Sequence, residues 1–137
     1  MLKLESKIGT ILKPQVDIYN FLSKLNNLEN FIPEDKIKNW KATEDTCSFS
    51  VEMAGELNIE VANREPNKTI KFKGNTSTQP VDFFFWIQLK EVKPSDTKVK
   101  LTLHAEIPAM LKPMVKKPLQ DAMNVIVDRL PELLKHI

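Results

Sequence analysis

The stretch AMLKPMVKKPLQDAMNVIVDRLPELLKHI, residues 109–137, decides the fold. In it Leu111, Val115, Leu119, Ala122, Ile126, Leu130, Leu133 and Ile137 recur at steps of three and four, so they share one face of a helix. Pro113 and Pro118 each remove a backbone donor, so regular helix is expected to begin near Lys117. Pro131 is expected to bend or break the last turn for the same reason. A helix with one apolar face must bury it against another layer, and the residues upstream supply that layer.

Working back to the start of the chain, Leu2, Leu4, Ser6, Ile8 and Thr10 alternate with a more polar set, the period of a strand with one wet face. Pro14 ends it and is preorganised for a first helical turn, after which Ile18, Phe21, Leu22 and Leu25 have helical spacing. Asn26 and Asn27 interrupt that helix. Leu28, Phe31 and Ile32 then give a second short one, which Pro33 ends.

The middle of the chain repeats an alternation broken by turn chemistry at Glu44 and Asp45, at Ala54 and Gly55, at Pro66 and Asn67, and at Pro94 to Asp96. This predicts an antiparallel meander. Its apolar register runs through Cys47, Phe49, Val51 and Met53, through Leu57, Ile59 and Val61, through Ile70 and Phe72, and through Val99, Leu101, Leu103 and Ala105. Ser48, Ser50, Glu52, Asn58, Glu60, Lys71, Lys98, Lys100 and Thr102 occupy the other face. One strand breaks the pattern. Phe83, Phe85, Ile87 and Leu89 point one way, yet Phe84 and Trp86 join Asp82, Gln88 and Lys90 on the face expected to be wet. That pair reads as an apolar outer patch suited to self-association, as a surface covered by a loop, or as the sign of a bulge that turns Trp86 inward.

The chain is expected to form one domain over residues 1–137, since its 137 residues suffice for a core and no repeat or linker divides them. Hydrophobic residues make up 42% and charged residues 28%, and 20 basic against 18 acidic side chains are scattered along the chain, so a nucleic-acid track is not expected. Cys47 is the single cysteine, so no intrachain disulfide can form, which fits a reducing cytoplasm. Residues 1–13 lack the unbroken apolar region of a signal peptide, and no run approaches the roughly 20 apolar residues of a membrane span. With only Gly9, Gly55 and Gly74, neither a dinucleotide fingerprint nor a Walker loop can be written. His104 and His136 share no metal-ligand spacing and lie in polar register or near the chain end, so no metal, cofactor or catalytic base is expected. Cys47 reads as a small buried hydrophobe, and Tyr19 as a packing residue or a hydroxyl at a cavity mouth.

Strand, two short helices, meander and long last helix, in that order, resemble the START-like or SRPBCC superfamily with its helix-grip fold. The local echoes are Pro33, the strand phrase 84–89 followed by 97–103, and Pro108 leading into the last helix. The chain is similar to relatives of polyketide cyclase and coenzyme-Q-binding proteins. The resemblance implies an α+β fold in which a curved antiparallel sheet of about seven strands wraps the last helix. It also implies an apolar cavity for a hydrophobic small molecule or lipid.

The expected cavity liners are Phe49, Val51, Met53, Leu57, Ile59 and Phe72 from the sheet, with Phe83 and Phe85. The helix contributes Met110, Met114, Leu119 and Met123, whose unbranched or pliant side chains adapt to irregular guests. Solid core packing explains the same residues. Three functional readings follow: a non-catalytic binder of a hydrophobic molecule, a cyclase- or dehydratase-like enzyme that would need inward-facing ionisable groups, and an interaction module that uses Phe84 and Trp86, with a homodimer as one form.

Overall fold

The computed structural model describes residues 1–31, 35–52, 55–77 and 81–137. Met53 and Pro33 lie outside the described residues. The architecture is the α+β arrangement expected: a curved antiparallel sheet with short helical segments near the start and a long helix at the end.

The strands are β1 (Leu2–Glu5), β2 (Gly9–Ile11), β3 (Ile37–Ala42), β4 (Thr46–Val51), β5 (Gly55–Glu65), β6 (Thr69–Thr76), β7 (Asp82–Lys93) and β8 (Asp96–Ala105). They hydrogen-bond in the order β1, β8, β7, β6, β5, β4, β3, and β2 also pairs with β8. Helix α1 (Gln15–Leu22) and a 3-10 segment (Leu25–Phe31) follow β2, and α2 (Lys112–Leu133) closes the chain.

The opening strand departs from its simple alternation. Ser6 exchanges backbone and side-chain hydrogen bonds with Leu101, at 2.8 Å each, and splits the segment into β1 and β2. The parity flips across the break: Leu2, Leu4 and Ser6 are buried, Ile8 is exposed, and Ile11 is buried again. The second short helix is the 3-10 segment, held where the Leu25 amide donates to the Glu44 carbonyl at 3.0 Å.

Regular helix in α2 begins at Lys112, ahead of the expected start. Pro113 occupies its first turn, where the missing donor has no partner to lose. Pro118 and Pro131 are both accommodated within it on exposed positions; Pro118 frees the carbonyl of exposed Met114, whereas Pro131 frees that of buried Val127. The buried positions of α2 are Met123, Val127 and Leu130, with Leu134 just beyond its end. Leu130 belongs to the face read from the sequence, whereas Met123, Val127 and Leu134 lie on a line beside the Ala122, Ile126, Leu133 and Ile137 positions of that face.

Packing is tightest at one corner of the molecule. Ile11, Ile18, Val99, Leu101, Val127 and Leu134 are all almost wholly buried there. Gly9 makes the approach of α2 possible, because a Cβ at that position would collide with the Val127 side chain. Burial at about 25 cal/mol per Å² of apolar surface makes this seat the main anchor of α2. Gln15 and Glu91 fix α1 beside β7, each backbone N–H donating to the other's side-chain oxygen at 2.7 Å.

Candidate functional site

Alternation places Phe83, Phe85, Ile87 and Leu89 on the inner face of β7, opposite Ala105, Leu103, Leu101 and Val99 of β8. On the other side of β7, Gly74, Phe72 and Ile70 of β6 face Phe83, Phe85 and Ile87. The inner face continues through Val61, Ile59 and Leu57 of β5 to Cys47, Phe49 and Val51 of β4.

Helix α2 covers only part of this face, packing chiefly on β1, β2 and β8 at one side of the sheet. At about 100° per residue, the seat formed by Met123, Val127, Leu130 and Leu134 divides the rest of the helix into two flanks. Gln120, Asn124 and Asp128 lie on one flank. They meet the β1–β2 connection: the Lys7 amide donates to Asn124 Oδ1 at 2.8 Å, Gln120 Nε2 donates to the Glu5 carbonyl at 2.7 Å, and Lys7 pairs with Asp128. Val115, Leu119, Ala122, Ile126 and Leu133 form the opposite flank, on the side of β7 and the strands beyond it. Of these, Val115, Leu119 and Leu133 are half-buried and Ile126 is 44% exposed.

The helix flank and the inner face of the sheet thus both carry apolar side chains that are only partly covered, with Val115, Leu119, Phe49, Ile59 and Phe85 packed against the buried core. The helix wall is the Val115 to Ile126 flank. The sheet wall consists of Phe49, Val51, Leu57, Ile59, Phe83 and Phe85, all half-buried. The Phe83 ring rests against Gly74, where a Cβ would strike it, so glycine at that cross-strand position gives the ring its place.

The far rim carries a residue that strand periodicity alone did not reveal. A register shift between Lys38 and Lys41, with Asn39 at φ 58°, brings Trp40 onto Phe49 in a stack with centroids 5.7 Å apart. Asparagine tolerates this left-handed backbone better than most residues, and it is the one local signal that marked the bulge.

The other residues expected at the site fall into two groups. Phe72 and Met123 are buried core, Phe72 tilted against Phe85 at 6.2 Å. Met110 and Met114 are 88% and 71% exposed, just before and just inside the start of α2, so they project to solvent and not into the walls. The exposure of these two large apolar side chains marks the segment that leads from β8 into α2.

Burial pushes the Cys47 thiol up to about 11, so it stays protonated across the physiological range. Tyr19 is buried on α1. On the opposite face of the sheet, β7 pairs with β8 in unbroken register from Phe83 to Glu91, and no bulge turns Trp86 inward. Phe84 and Trp86 lie outside with ring centroids 6.1 Å apart, and the His104 ring meets Trp86 edge-on at 4.7 Å.

Among the described residues, no helix is long and apolar enough to cross a membrane. No curated protein matches the sequence. Solved structures share the fold at low identity. A conserved protein from Geobacillus kaustophilus is 15% identical with a TM-score of 0.72, the match covering 98% of this chain and 95% of that one. A START superfamily protein from Mycobacterium smegmatis is 15% identical with a TM-score of 0.70, covering 97% of each chain. A protein from Chromobacterium violaceum is 12% identical with a TM-score of 0.69 and 98% coverage of each. The START-like helix-grip fold is thus shared along nearly the whole chain. The model of the CoxG family, described as a subunit of carbon monoxide dehydrogenase, matches residues 9–136, and the chain belongs to that family.

Proposed function

We propose that this protein binds a hydrophobic small molecule or lipid between the open flank of α2 and the inner face of β4, β5 and β7. The observation that carries the reading is the pair of incompletely covered apolar walls, Val115, Leu119 and Ile126 on the helix against Phe49, Leu57, Ile59 and Phe85 on the sheet. A guest laid between them removes apolar surface from water on both sides, at about 25 cal/mol per Å². Trp40 extends the sheet wall at its edge.

The chemistry of the walls favours binding over catalysis. The wall residues carry no ionisable group, and the Cys47 thiol beside them is held protonated by burial. Proton transfer needs a titratable group within reach of the guest, and cyclase-like chemistry finds none in this lining. Membership of a family described as a subunit of carbon monoxide dehydrogenase also supports an accessory role. Few polar groups in the lining make selectivity depend on shape and length.

Native mass spectrometry of protein purified without detergent, followed by titration with a fatty acid, a quinone and a polyketide-like probe, tests the proposal. Uptake of one apolar probe per chain is expected, weakened by Leu119→Gln with the fold retained by circular dichroism. A chain that takes up none of the three overturns it.

A further inference from the structure

The outer face of the sheet carries features that ligand binding does not use. Phe84 and Trp86 sit side by side on it, and Lys71 Nζ lies 4.6 Å and 5.4 Å from their ring centroids. The register sets Lys73 opposite Phe84 on one side and His104 on the other, with Lys3 beyond His104. Next to this cluster, an open concavity of about 520 Å³ is lined by Lys41, Ser48, Asn58, Lys73 and Asn75, with Glu60 as its carboxylate. Both helices pack through apolar residues on the inner face, so neither covers this surface.

Charge separates this region from the rest of the sheet. Lys98 and Lys100 have carboxylate partners, Asp96 at 3.4 Å and Glu5 at 3.3 Å. Lys3, Lys41, Lys71 and Lys73 have no carboxylate within ion-pair distance among the described residues. The result is an aromatic centre edged by four ammonium groups outside any ion pair, with Glu60 opposite Lys73 in the register and Asp82 two residues before Phe84 as carboxylates of the same face, beside a recess with amide and hydroxyl groups.

We infer that this outer face is a docking surface for an acidic segment of a partner protein, with Phe84 and Trp86 as its apolar anchor and Lys41, Lys71 and Lys73 as its charge complement. Opposite potentials speed encounter and fix register, while a desolvated aromatic centre supplies affinity. A second copy of this chain fits less well, because a two-fold contact centred on Phe84 and Trp86 would bring together two patches in which Lys3, Lys41, Lys71 and Lys73 outnumber Glu60 and Asp82. Nucleic acid fits poorly as well. Base stacking needs open ring faces, and here Lys71 lies over both rings while His104 occupies the edge of Trp86.

The test uses a fluorescent glutamate-rich peptide with a central leucine, its glutamine counterpart, and a mixed-sequence oligoribonucleotide. Binding of the acidic peptide should fall about tenfold in Lys41→Glu/Lys73→Glu and in Trp86→Ser, weaken with added salt, and be absent for the glutamine peptide. Lys41 and Lys73 are exposed, so the double variant reports even if Trp86→Ser fails to fold. Amide shifts should map to β6 and β7 and leave the helix flank unmoved, which separates this surface from the apolar groove. Absence of acidic-peptide binding, equal binding by the double variant, or preference for the oligoribonucleotide would overturn the inference. Sedimentation showing a dimer of the wild-type chain that Trp86→Ser dissociates would overturn it too.

Discussion

Gly9 and Val127 are in direct apposition: the space a Cβ would need on Gly9 is filled by the Val127 side chain, with Val99 close on another side. Because Val127 and Val99 are nearly fully buried, neither can swing away to admit an added methyl group. Gly9→Ala is therefore expected to cost about 1–3 kcal/mol, as overpacking in a filled core does. Urea denaturation should show a lower midpoint with an unchanged slope.

Arg64 ties three segments together. Its Nε and Nη2 donate to the Ser23 carbonyl at 3.2 and 2.7 Å, and Nη2 also reaches the Glu44 carbonyl and Asp45 Oδ1. Lysine cannot reproduce this fork, so Arg64→Lys should lose about 1–2 kcal/mol of stability despite keeping the charge. Asp45 is largely exposed, and Asp45→Asn should cost under about 1 kcal/mol. Equal losses from the two variants in thermal denaturation would show that the ion pair, and not the carbonyl fork, carries the effect.

The Cys47 thiol offers a pH-dependent readout. In the unfolded chain it ionises near its ordinary value of 9.0, while burial in the folded protein raises this to about 11. Between those values the unfolded state has lost the proton that the folded state retains, so this group makes stability fall as pH rises above about 9. Folded protein should react slowly with iodoacetamide at pH 8, and Cys47→Ala should flatten the alkaline decline in stability.

Two tryptophans report on two faces. Trp40 stacks on Phe49 at the rim of the proposed binding surface, and Trp86 lies on the outer sheet surface. An apolar probe should change the emission of Trp86→Phe protein, whose remaining indole is Trp40, and leave that of Trp40→Phe unchanged. Loss of the Trp40 ring in Trp40→Ala should weaken the probe by about tenfold, consistent with about 1–2 kcal/mol of lost apolar contact.

Pro118 interrupts the backbone ladder of α2 between an end with no buried residue and the seated end that starts at Met123. Pro118→Ala restores a donor to the Met114 carbonyl and should stabilise the protein by about 1–3 kcal/mol, read as a raised melting temperature. A lowered melting temperature would mean that the proline ring is part of the packing.

The sheet was legible because its face is set by parity. Phe83, Phe85, Ile87 and Leu89 alternate strictly, and pairing with β8 confirms their register residue by residue. Helix α2 was legible as an element, but not the side on which it sits. Its apolar arc is wide enough to hold two adjacent lines, and spacing of three and four residues fits both. Choosing between them depends on Gly9, a contact distant in sequence. The split after Glu5 was hidden for a similar reason, since Ser6 acts through Leu101. At the candidate site, Phe49, Leu57, Ile59 and Phe85 follow from alternation, whereas Trp40 depends on a bulge at Asn39 that no period describes.

The divided apolar arc of α2 has an evolutionary consequence. Val127 and Leu130 answer to the deeply packed corner of the molecule, whereas Leu119 is only partly covered and Ile126 is exposed, although one backbone carries both sets. Descendants of this chain can thus exchange the second set while inheriting the first intact, so the surface of this flank can drift without endangering the scaffold.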